Sequence, residues 1–248
     1  MTVAAVVVTH PPHSDVIRGV AALRLQVDEL VVVANPPAPE VDATLIVNDR
    51  ALGFAANANQ GIAATTAPYV VTANPDTEPR DNSVDLLVEF ADTHPRAGIV
   101  GPQLLFPDGR WQPSRRRFPT VRGTIVRRTP LRKILRPETR QLDHYMLEDR
   151  PVEPVEADWM LGAFLLLRRE MLEELGGFDE GYRLYGEDID LCYRAAKAGW
   201  DRWYVPEASV SHAHAAVTDR RFFTRQTIWH WRSIARFVRR HPERLRNI

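Results

Sequence analysis

The chain has 248 residues, of which 44% are hydrophobic and 26% charged, and its formal net charge at pH 7 is zero. This composition excludes a wholly disordered chain and is typical of a globular protein with one core or two small ones. The longest apolar runs, such as Val3–Val8, are far shorter than the roughly 18–20 residues of a membrane-spanning helix. No basic segment precedes the first apolar run, as it would in a secretory signal. We therefore expect a cytoplasmic protein, and its single cysteine, Cys192, excludes an intrachain disulfide.

Positive charge is concentrated in two segments. Residues 110–140 contain eleven basic side chains and one acid, and residues 219–248 contain nine arginines and two acids. This asymmetry is typical of a protein with an anionic partner: a nucleic acid, a phosphorylated small molecule or an anionic membrane surface. A solvated basic face would produce the same pattern, so charge alone leaves the partner open.

The first hundred residues alternate strand and helix patterns. Ser14 is a predicted cap for a helix whose Val16, Ile17, Val20 and Leu23 share one face. The other predicted helices are Phe54–Thr65 and Asn82–Thr93, and the predicted strands are Val3–Val8, Glu29–Val33, Ala43–Val47, Tyr69–Ala73 and Ala97–Val100. This alternation predicts an α/β fold with a mainly parallel sheet and helices on both faces. Ligands of such sheets bind beyond the carboxyl ends of the strands.

Residues 102–154 are rich in Pro, Gly and Arg and predict a basic, flexible loop region. Regular patterns resume with the strand Ala163–Leu167, the helices Arg169–Leu175 and Asp188–Ala198, the short strands Arg202–Val205 and Ser209–His212, and a helix over Asp219–His241. No repeat or linker divides the chain. The sequence thus predicts one domain over residues 1–218, followed by a basic amphipathic C-terminal helix within 219–248.

Asp76 follows the strand Tyr69–Ala73 in an Asn-Pro-Asp turn. A carboxylate at the carboxyl end of a parallel strand suits a divalent cation that bridges phosphates, because hard cations prefer oxygen ligands. Asp76 would equally serve as an ordinary turn-capping residue. His212, at the end of a later strand, is either a further metal ligand or an ordinary hydrogen-bonded histidine.

Three acids, Glu187, Asp188 and Asp190, lie at the start of a predicted helix. The helix dipole favours carboxylates there, which explains one or two of them without any catalytic role. A carboxylate in a cleft can also act as the general base toward a hydroxyl nucleophile.

The C-terminal helix presents a predicted apolar face of Phe223, Thr227, Trp231, Ile234 and Val238 beside a face of arginines 225, 232, 236 and 239. Such a helix suits an anionic membrane interface. A helix whose apolar stripe packs on the domain while its arginines remain solvated has the same pattern.

Taken in order, these motifs resemble the family 2 glycosyltransferases of the GT-A fold, in the bacterial branch of rhamnosyltransferases. The resemblance covers nearly the full chain and rests on the segments Val6–Thr9, Leu52–Gly61, Asn74–Thr77, Gly101–Leu105, Gly162–Arg169, Gly176–Glu180, Gly186–Arg194 and Val205–Ala208, the last of which leads to His212. It implies a nucleotide-diphospho-sugar transferase fold, with residues 1–101 as the nucleotide-sugar-binding half and residues 155–218 as the acceptor and catalytic half.

The resemblance also implies site residues. Asp76 matches the metal-binding DxD position, where Mg²⁺ or Mn²⁺ would neutralise the donor diphosphate, and His212 matches a position that can complete the metal site. Asp188 matches the catalytic base. The implied donor-binding residues are Thr9, Asn35, Asn59, Asn74 and Asp76, and the implied acceptor-binding residues are Trp159, Gly162 and Glu187.

Three departures from the family pattern lie at the nucleotide end: His10-Pro11 after the first strand, Ala34 in place of a carboxylate, and Ala51 in place of Asn. The resemblance implies an inverting, metal-dependent glycosyltransferase that moves L-rhamnose from dTDP-rhamnose to a cell-wall, polysaccharide or polyprenyl-diphosphate-linked acceptor, and the three departures bear on the identity of the donor. The alternatives are a UDP-hexose or UDP-galactofuranose donor, or a catalytically weak nucleotide-sugar-binding subunit. We expect no nucleic-acid partner, a peripheral contact with the inner face of the plasma membrane through residues 219–248, and a homodimer as one option.

Overall fold

The computed structural model describes residues 1–118, 147, 149–213 and 225–246. Its strands are β1 (Val3–Thr9), β2 (Glu29–Ala34), β3 (Thr44–Val47), β4 (Tyr69–Ala73), β5 (Thr77–Pro79), β6 (Ala97–Leu105), β7 (Trp111–Gln112), β8 (Arg115–Arg116), β9 (Val155–Glu156), β10 (Trp159–Met160), β11 (Phe164–Arg168) and β12 (Asp201–His212). Its α-helices are α1 (Val16–Arg24), α2 (Phe54–Ala63), α3 (Ser83–Thr93), α4 (Arg169–Leu175), α5 (Glu187–Ala198) and α6 (Arg225–Arg240), and a 3₁₀ helix covers Pro242–Arg246.

The main sheet has the strand order β3-β2-β1-β4-β11-β6-β12-β5. The first four of these strands are parallel, with Val6 of β1 opposite Val31 of β2 and Thr72 of β4. β11 runs antiparallel between β4 and β6, and β12 returns parallel to β6. β5 forms an antiparallel edge on β12, whereas β8 and β10 form a separate two-stranded sheet. The predicted mixed, mainly parallel sheet is confirmed.

Helices cover both faces of this sheet because its central strands are apolar on both sides. Val3, Ala5 and Val7 of β1 belong to the hydrophobic core that includes α1 and α3, whereas the alternating Ala4 and Val6 belong to the core that includes α2, α4 and α5. Gly61 allows α2 to approach the sheet closely, since a Cβ atom there would lie 2.2 Å from Val6 Cγ1. The helices packed on both faces therefore hold the ends of the strands in fixed positions.

The predicted first helix needs two corrections. Its N-cap is Asp15, and Ser14 instead donates its hydroxyl to the Asp15 carboxylate. Ile17 is 62% exposed, because it lies about 100° around the helix from Val16 and therefore cannot share the buried face of Val16 and Val20.

Two corrections apply to the predicted loop and strands. The strand that begins at Ala97 continues to Leu105, and β7 and β8 follow it, so part of the predicted loop region 102–154 is sheet. The two short strands predicted after Arg202 are one strand, β12, with an irregularity between Val205 and Ser209. Pro206, which has no N–H to donate, lies within that irregularity. The other predicted strands and helices before residue 200 begin and end within two residues of the observed bounds.

The C-terminal helix α6 packs on the domain, but not through the predicted apolar face. Its buried residues are Ser233 and Phe237, and His241 just beyond the helix is buried as well. The predicted stripe residues Trp231, Ile234 and Val238 are only half-buried, whereas Phe223 lies outside the described residues. Arg236 ties the helix to the loop before α5 through a paired hydrogen bond to Asp179, at 2.9 and 2.7 Å. In the part of the chain described here, no helix combines the length and apolarity that a membrane span requires.

Candidate active site

The Asn-Pro-Asp turn holds Asp76 at the carboxyl edge of the sheet. The backbone N–H of Asn74 donates to the Ala163 carbonyl at 2.8 Å, and the Asn74 carbonyl accepts the hydroxyl of Thr77 at 2.7 Å. The side chain of Asp76 is 23% exposed. The turn therefore fixes the backbone while its carboxylate stays open to a ligand.

His212, the last residue of β12, lies beside Asp76 because β12 pairs with β5, which begins at Thr77. The ring Nε2 is 3.6 Å from Asp76 Oδ1. The other ring nitrogen, Nδ1, is 3.0 Å from the Gln112 side-chain oxygen, which can only accept, so Nδ1 carries the proton. Nε2 of His212 thus faces Asp76, and the structure brings the two predicted metal ligands together.

This pair fits a cation that also binds a ligand. Among the described residues, no three His, Cys, Asp or Glu side chains form a metal-binding group. Mg²⁺ is usually held by one or two carboxylates together with substrate phosphates, and imidazole is an accepted ligand of transition metals. Asp76 and His212 could therefore hold Mg²⁺ or Mn²⁺ when diphosphate oxygens complete the coordination.

Asp188, in the first turn of α5, is fixed by the backbone. Its Oδ2 accepts the N–H of Gly162 at 3.1 Å, and its Oδ1 accepts the N–H of Ile189 at 2.8 Å. A Cβ atom at Gly162 would lie 3.1 Å from Asp188 Cβ, so the glycine permits this close approach. Burial raises the pKa of Asp188, while these two hydrogen bonds and the charge of Arg116 oppose that rise.

Glu187 is 9% exposed, and no hydrogen-bond partner of its Oε2 lies among the described residues. Burial, together with the adjacent charge of Asp188, raises the pKa of Glu187 to about 8. At neutral pH Glu187 therefore holds a proton and can donate a hydrogen bond beside Asp188.

The third acid of this cluster, Asp190, has a structural role. It is fully buried and binds Arg194 Nε at 2.7 Å, His241 Nε2 at 2.9 Å and the hydroxyl of Tyr182 at 3.3 Å. Burial, followed by the charge of Asp190, raises the pKa of Tyr182. Neither helix capping nor base catalysis explains Asp190, which instead ties α5 to the loop before it and to the end of α6.

At the nucleotide end, Thr9 and Asn35 are engaged within the protein. The Thr9 hydroxyl is 2.9 Å from His13 Nδ1, and His13 Nε2 is 2.9 Å from the Pro37 carbonyl. The carbonyl only accepts, so Nε2 carries the proton and Nδ1 accepts the Thr9 hydroxyl. Asn35 binds both the N–H and the carbonyl of Leu52, at 2.9 and 3.1 Å.

Asn48 extends this amide network. Its Nδ2 donates to the side-chain oxygen of Asn57 at 2.5 Å and lies 3.5 Å from that of Asn35. Asn57 is 1% exposed, and its Nδ2 has no hydrogen-bond partner among the described residues. Asn48 and Asn57 could not be singled out from the sequence, because nothing in their spacing shows that the end of β3 meets α2.

Asn59 links α2 to the loop that precedes α5. Its side chain exchanges two hydrogen bonds of 2.9 Å with the backbone of Phe178 and donates to Glu180 at 3.0 Å. These bonds use both ends of the amide. The donor-binding role implied by the resemblance stays a prediction for Asn59, and its observed contacts do not support it.

The predicted acceptor wall is built on the small sheet of β8 and β10. Trp159 is 4% exposed, pairs with Arg116 across the two strands and donates its indole N–H to the Arg117 carbonyl at 2.8 Å. The guanidinium carbon of Arg116 lies 5.3 Å from the Trp159 ring centroid. Gly162 follows two residues after β10 and binds Asp188. The sequence alone does not distinguish Arg116 from the many other arginines of its segment.

Comparison with known proteins identifies the class. A family model described as glycosyltransferase like family 2 matches residues 1–229. The chain therefore belongs to the glycosyltransferase-like family 2, as the sequence motifs predicted.

Among individual relatives, the chain is 39% identical over 160 residues to the N-acetylglucosaminyl-diphospho-decaprenol L-rhamnosyltransferase of Mycobacterium tuberculosis, an alignment that covers 61% of this chain and 49% of that protein. It is 41% identical over 83 residues to the rhamnosyltransferase WbbL of Escherichia coli K12, covering 34% of this chain and 31% of that protein. The chain thus spans half or less of the length of these curated relatives.

Two solved structures share the fold. GalNAc-T7 with UDP, GalNAc and Mn²⁺ matches with a TM-score of 0.63 and 19% identity, covering 85% of this chain and 43% of that one. The mannosyltransferase PcManGT of Pyrobaculum calidifontis, in complex with GDP-Man and Mn²⁺, matches with a TM-score of 0.60 and 16% identity, covering 96% of this chain and 64% of that one. The predicted GT-A fold is confirmed.

Proposed function

We propose that this chain is an inverting, metal-dependent glycosyltransferase that moves a sugar from a nucleoside-diphosphate donor to a lipid-linked glycan acceptor. The observation that carries the proposal is the coexistence of two sites: a carboxylate–imidazole pair at Asp76 and His212, and a backbone-held carboxylate at Asp188. Sugar transfer with inversion requires both a centre that stabilises the diphosphate leaving group and a base for the acceptor hydroxyl.

In this mechanism Asp188 accepts the proton of the acceptor hydroxyl while the hydroxyl oxygen forms a bond to the anomeric carbon. The bond between that carbon and the diphosphate breaks, and the nucleoside diphosphate leaves with the electron pair. Asp76 and His212 would hold a divalent cation, which neutralises charge on the leaving diphosphate when bound. Protonated Glu187 donates a hydrogen bond that orients the acceptor, because it has a proton to give at neutral pH.

The proposed donor is dTDP-L-rhamnose and the proposed acceptor an N-acetylglucosaminyl diphospholipid. The sugar is the one in the names of both rhamnosyltransferases, the acceptor is the one in the name of the Mycobacterium tuberculosis relative, and the dTDP carrier is what the family resemblance implies. A UDP-hexose or UDP-galactofuranose is the alternative donor, since Ala34 and His10 depart from the family pattern at the nucleotide end.

A second candidate is a nucleotide-sugar-binding subunit with weak activity. The observation that favours it is the internal hydrogen bonding of Thr9 and Asn35, which leaves fewer side-chain groups for the nucleotide. The two candidates differ in turnover, because a binding subunit would hold a donor without transferring its sugar.

The deciding experiment measures thermal stability and sugar transfer together. Wild type and Asp76→Ala are scanned with dTDP-rhamnose, UDP-glucose, UDP-galactofuranose and GDP-mannose, each with and without Mn²⁺. Because a bound ligand stabilises the folded state by mass action, one donor should raise Tm in a Mn²⁺-dependent way that Asp76→Ala removes. Transfer of that sugar to an acceptor supports the enzyme. Binding without transfer supports the subunit, and no shift with any donor contradicts both.

We also propose a peripheral contact of residues 219–248 with the anionic inner face of the plasma membrane. In the described part of this segment, Ile228 is 55% exposed and Arg232 and Arg239 are exposed. Basic residues near anionic lipid contribute about 1 kcal/mol each, so sedimentation with phosphatidylglycerol vesicles should exceed that with phosphatidylcholine vesicles and decrease with salt.

A further inference from the structure

The strand β3 forms one edge of the main sheet. It pairs with β2 on one side, and no other described strand pairs with it on the other side. Natural proteins usually protect such an edge with charged side chains, proline or a bulge, because its unpaired N–H and C=O groups can pair with another chain. The four residues of β3, Thr44–Val47, include no charged residue and no proline, and their pairing with β2 has no bulge. The outer side of β3 therefore lacks the usual protection against pairing.

The backbone of β3 shows which residues direct their polar groups outward. The N–H of Asn48, which directly follows β3, donates to the Ala34 carbonyl of β2 at 3.0 Å. In a parallel ladder only every second residue directs its N–H and C=O toward a given neighbour, so the even-numbered residues of β3 bond to β2. Leu45 and Val47 therefore direct their N–H and C=O groups away from the sheet.

The same two residues expose apolar side chains. Leu45 is 36% exposed and Val47 is 42% exposed, whereas Ile46 between them is half-buried and packs against the core that includes α2. Because Leu45 and Val47 are two residues apart, their side chains lie on the same face of the sheet. Exposed apolar side chains beside unpaired backbone groups are typical of an edge that another strand can cover.

Opposite charges flank this edge symmetrically. Asp42 lies four residues before Ile46, and Arg50 lies four residues after it. Both side chains are exposed, and neither forms an ion pair or a hydrogen bond within the part of the chain that the structure describes. A second copy of residues 42–50, running antiparallel and centred on Ile46, would place each Asp42 opposite Arg50 of the partner subunit. The segment is therefore complementary in charge to a second copy of itself.

We propose that β3 is the interface of a homodimer, in which two copies pair their β3 strands antiparallel about a twofold axis at Ile46. Leu45 then lies opposite Val47 of the partner subunit, and these two residues exchange the backbone hydrogen bonds that their outward groups can form. The outward groups meet only in registers that set odd-numbered residues opposite each other. Among these, the register centred on Ile46 joins Leu45 to Val47 and Asp42 to Arg50. This inference does not depend on the proposed function.

The test measures the molar mass of the chain by sedimentation equilibrium from about 1 to 500 µM, because a contact between such short strands is expected to be weak. Wild type should show a reversible equilibrium between monomer and dimer. Asp42→Arg alone and Arg50→Asp alone each set like charges opposite each other twice, so each should weaken the dimer about tenfold. An equimolar mixture of the two variants should dimerise as wild type does, because each copy then meets the opposite charges in its partner. The double variant Asp42→Arg/Arg50→Asp should also dimerise as wild type does.

A second pair of variants tests the apolar contact. Leu45→Asp should weaken the dimer about tenfold or more, because it places a carboxylate against Val47 of the partner subunit. Leu25→Asp is the matched control, since Leu25 is an exposed leucine outside β3, and it should leave the dimer unchanged. The Tm of each variant, measured in parallel, should stay close to that of wild type because the substituted side chains are exposed.

Three results would overturn the proposal. A wild-type chain that stays monomeric at every concentration has no such interface. A dimer that neither the charge reversals nor Leu45→Asp weakens is formed by another surface. A mixture of Asp42→Arg and Arg50→Asp that associates no better than either variant alone contradicts the antiparallel register centred on Ile46.

Discussion

The predicted nucleotide end and the predicted catalytic end of this molecule use their polar groups in different ways. At the nucleotide end, Thr9 and Asn35 bind other parts of the protein. At the catalytic end, Glu187 Oε2 has no hydrogen-bond partner among the described residues, and Asp76 and His212 face each other at 3.6 Å. Buried polar groups in native proteins are normally satisfied, so Glu187 Oε2 and, at the nucleotide end, Asn57 Nδ2 each indicate a place where a ligand or a water is expected. The two ends therefore differ in the predicted ligand-binding side chains: Thr9 and Asn35 are engaged within the protein, whereas the Asp76 carboxylate stays partly exposed.

The largest expected effect is on turnover at the catalytic end. Asp188→Asn keeps the size of the side chain but removes the base, so kcat should decrease by about 10²–10⁴, the usual contribution of general-base catalysis. Donor affinity, measured by the thermal shift with Mn²⁺, should remain within a factor of about two. Asp85→Asn, an exposed acid on α3, is the matched control. A normal kcat in Asp188→Asn would assign the base to another residue.

The free energy of unfolding, measured as a function of pH, tests the protonation of Glu187 at the predicted catalytic end. Its pKa in the folded state is about 8, above its value in the unfolded chain, so the folded state holds a proton that the unfolded state releases. The stability contributed by this proton is fully present below about pH 4.5 and is lost as pH rises through about 8. The free energy of unfolding of Glu187→Gln, measured by denaturant titration, should therefore increase relative to that of wild type by about 4 kcal/mol between pH 5 and pH 9. Parallel pH profiles for the two proteins would show that Glu187 titrates normally.

The substitution Asn59→Ala tests whether a residue predicted to bind the sugar donor has a structural role instead. The substitution leaves the Phe178 N–H without its side-chain acceptor, so the free energy of unfolding should decrease by about 2 kcal/mol. The donor-induced shift in Tm should stay the same once the lower stability is taken into account. If donor affinity decreases by more than about fivefold while stability is unchanged, Asn59 belongs to the donor site, and the contrast between the two ends is weaker than described.

The smallest expected effect is that of Thr9→Val, which removes one hydroxyl without changing the shape of the side chain. His13 Nδ1 loses its donor, and we expect a loss of about 1 kcal/mol in free energy of unfolding. Donor affinity, measured by titration calorimetry with the donor that raises Tm in the thermal-stability experiment, should change less than twofold. A loss of donor affinity without a loss of stability would show that the Thr9 hydroxyl binds the nucleotide in place of His13.

The sequence predicted the central features of this fold because their signals are local. The strands β1, β2 and β4 are continuous apolar runs, and α4 and α5 end at glycines with positive φ, Gly176 and Gly199. The motifs around Asp76 and Asp188 could likewise be located, since each lies just beyond a predicted strand or at the start of a predicted helix.

What the sequence could not predict depends on contacts between distant segments. The role of Asp190 depends on His241, which only the folded chain brings beside it, and three neighbouring acids in the sequence do not distinguish a base from a buried structural ion. Similarly, an amphipathic pattern does not indicate that Arg236 pairs with Asp179, or that the helix buries Ser233 and Phe237 and leaves the predicted stripe half-buried.

The position of His241 has a consequence for the order in which this protein assembles. Asp190 is completely enclosed, and one of its partners lies fifty-one residues later in the chain. During synthesis at about 5–20 residues per second, the segment around the catalytic acids leaves the ribosome several seconds before residue 241. Throughout that interval the carboxylate of Asp190 lacks the imidazole that helps to enclose it, so the hydrogen bonding of Asp190 is completed only after residue 241 has been made.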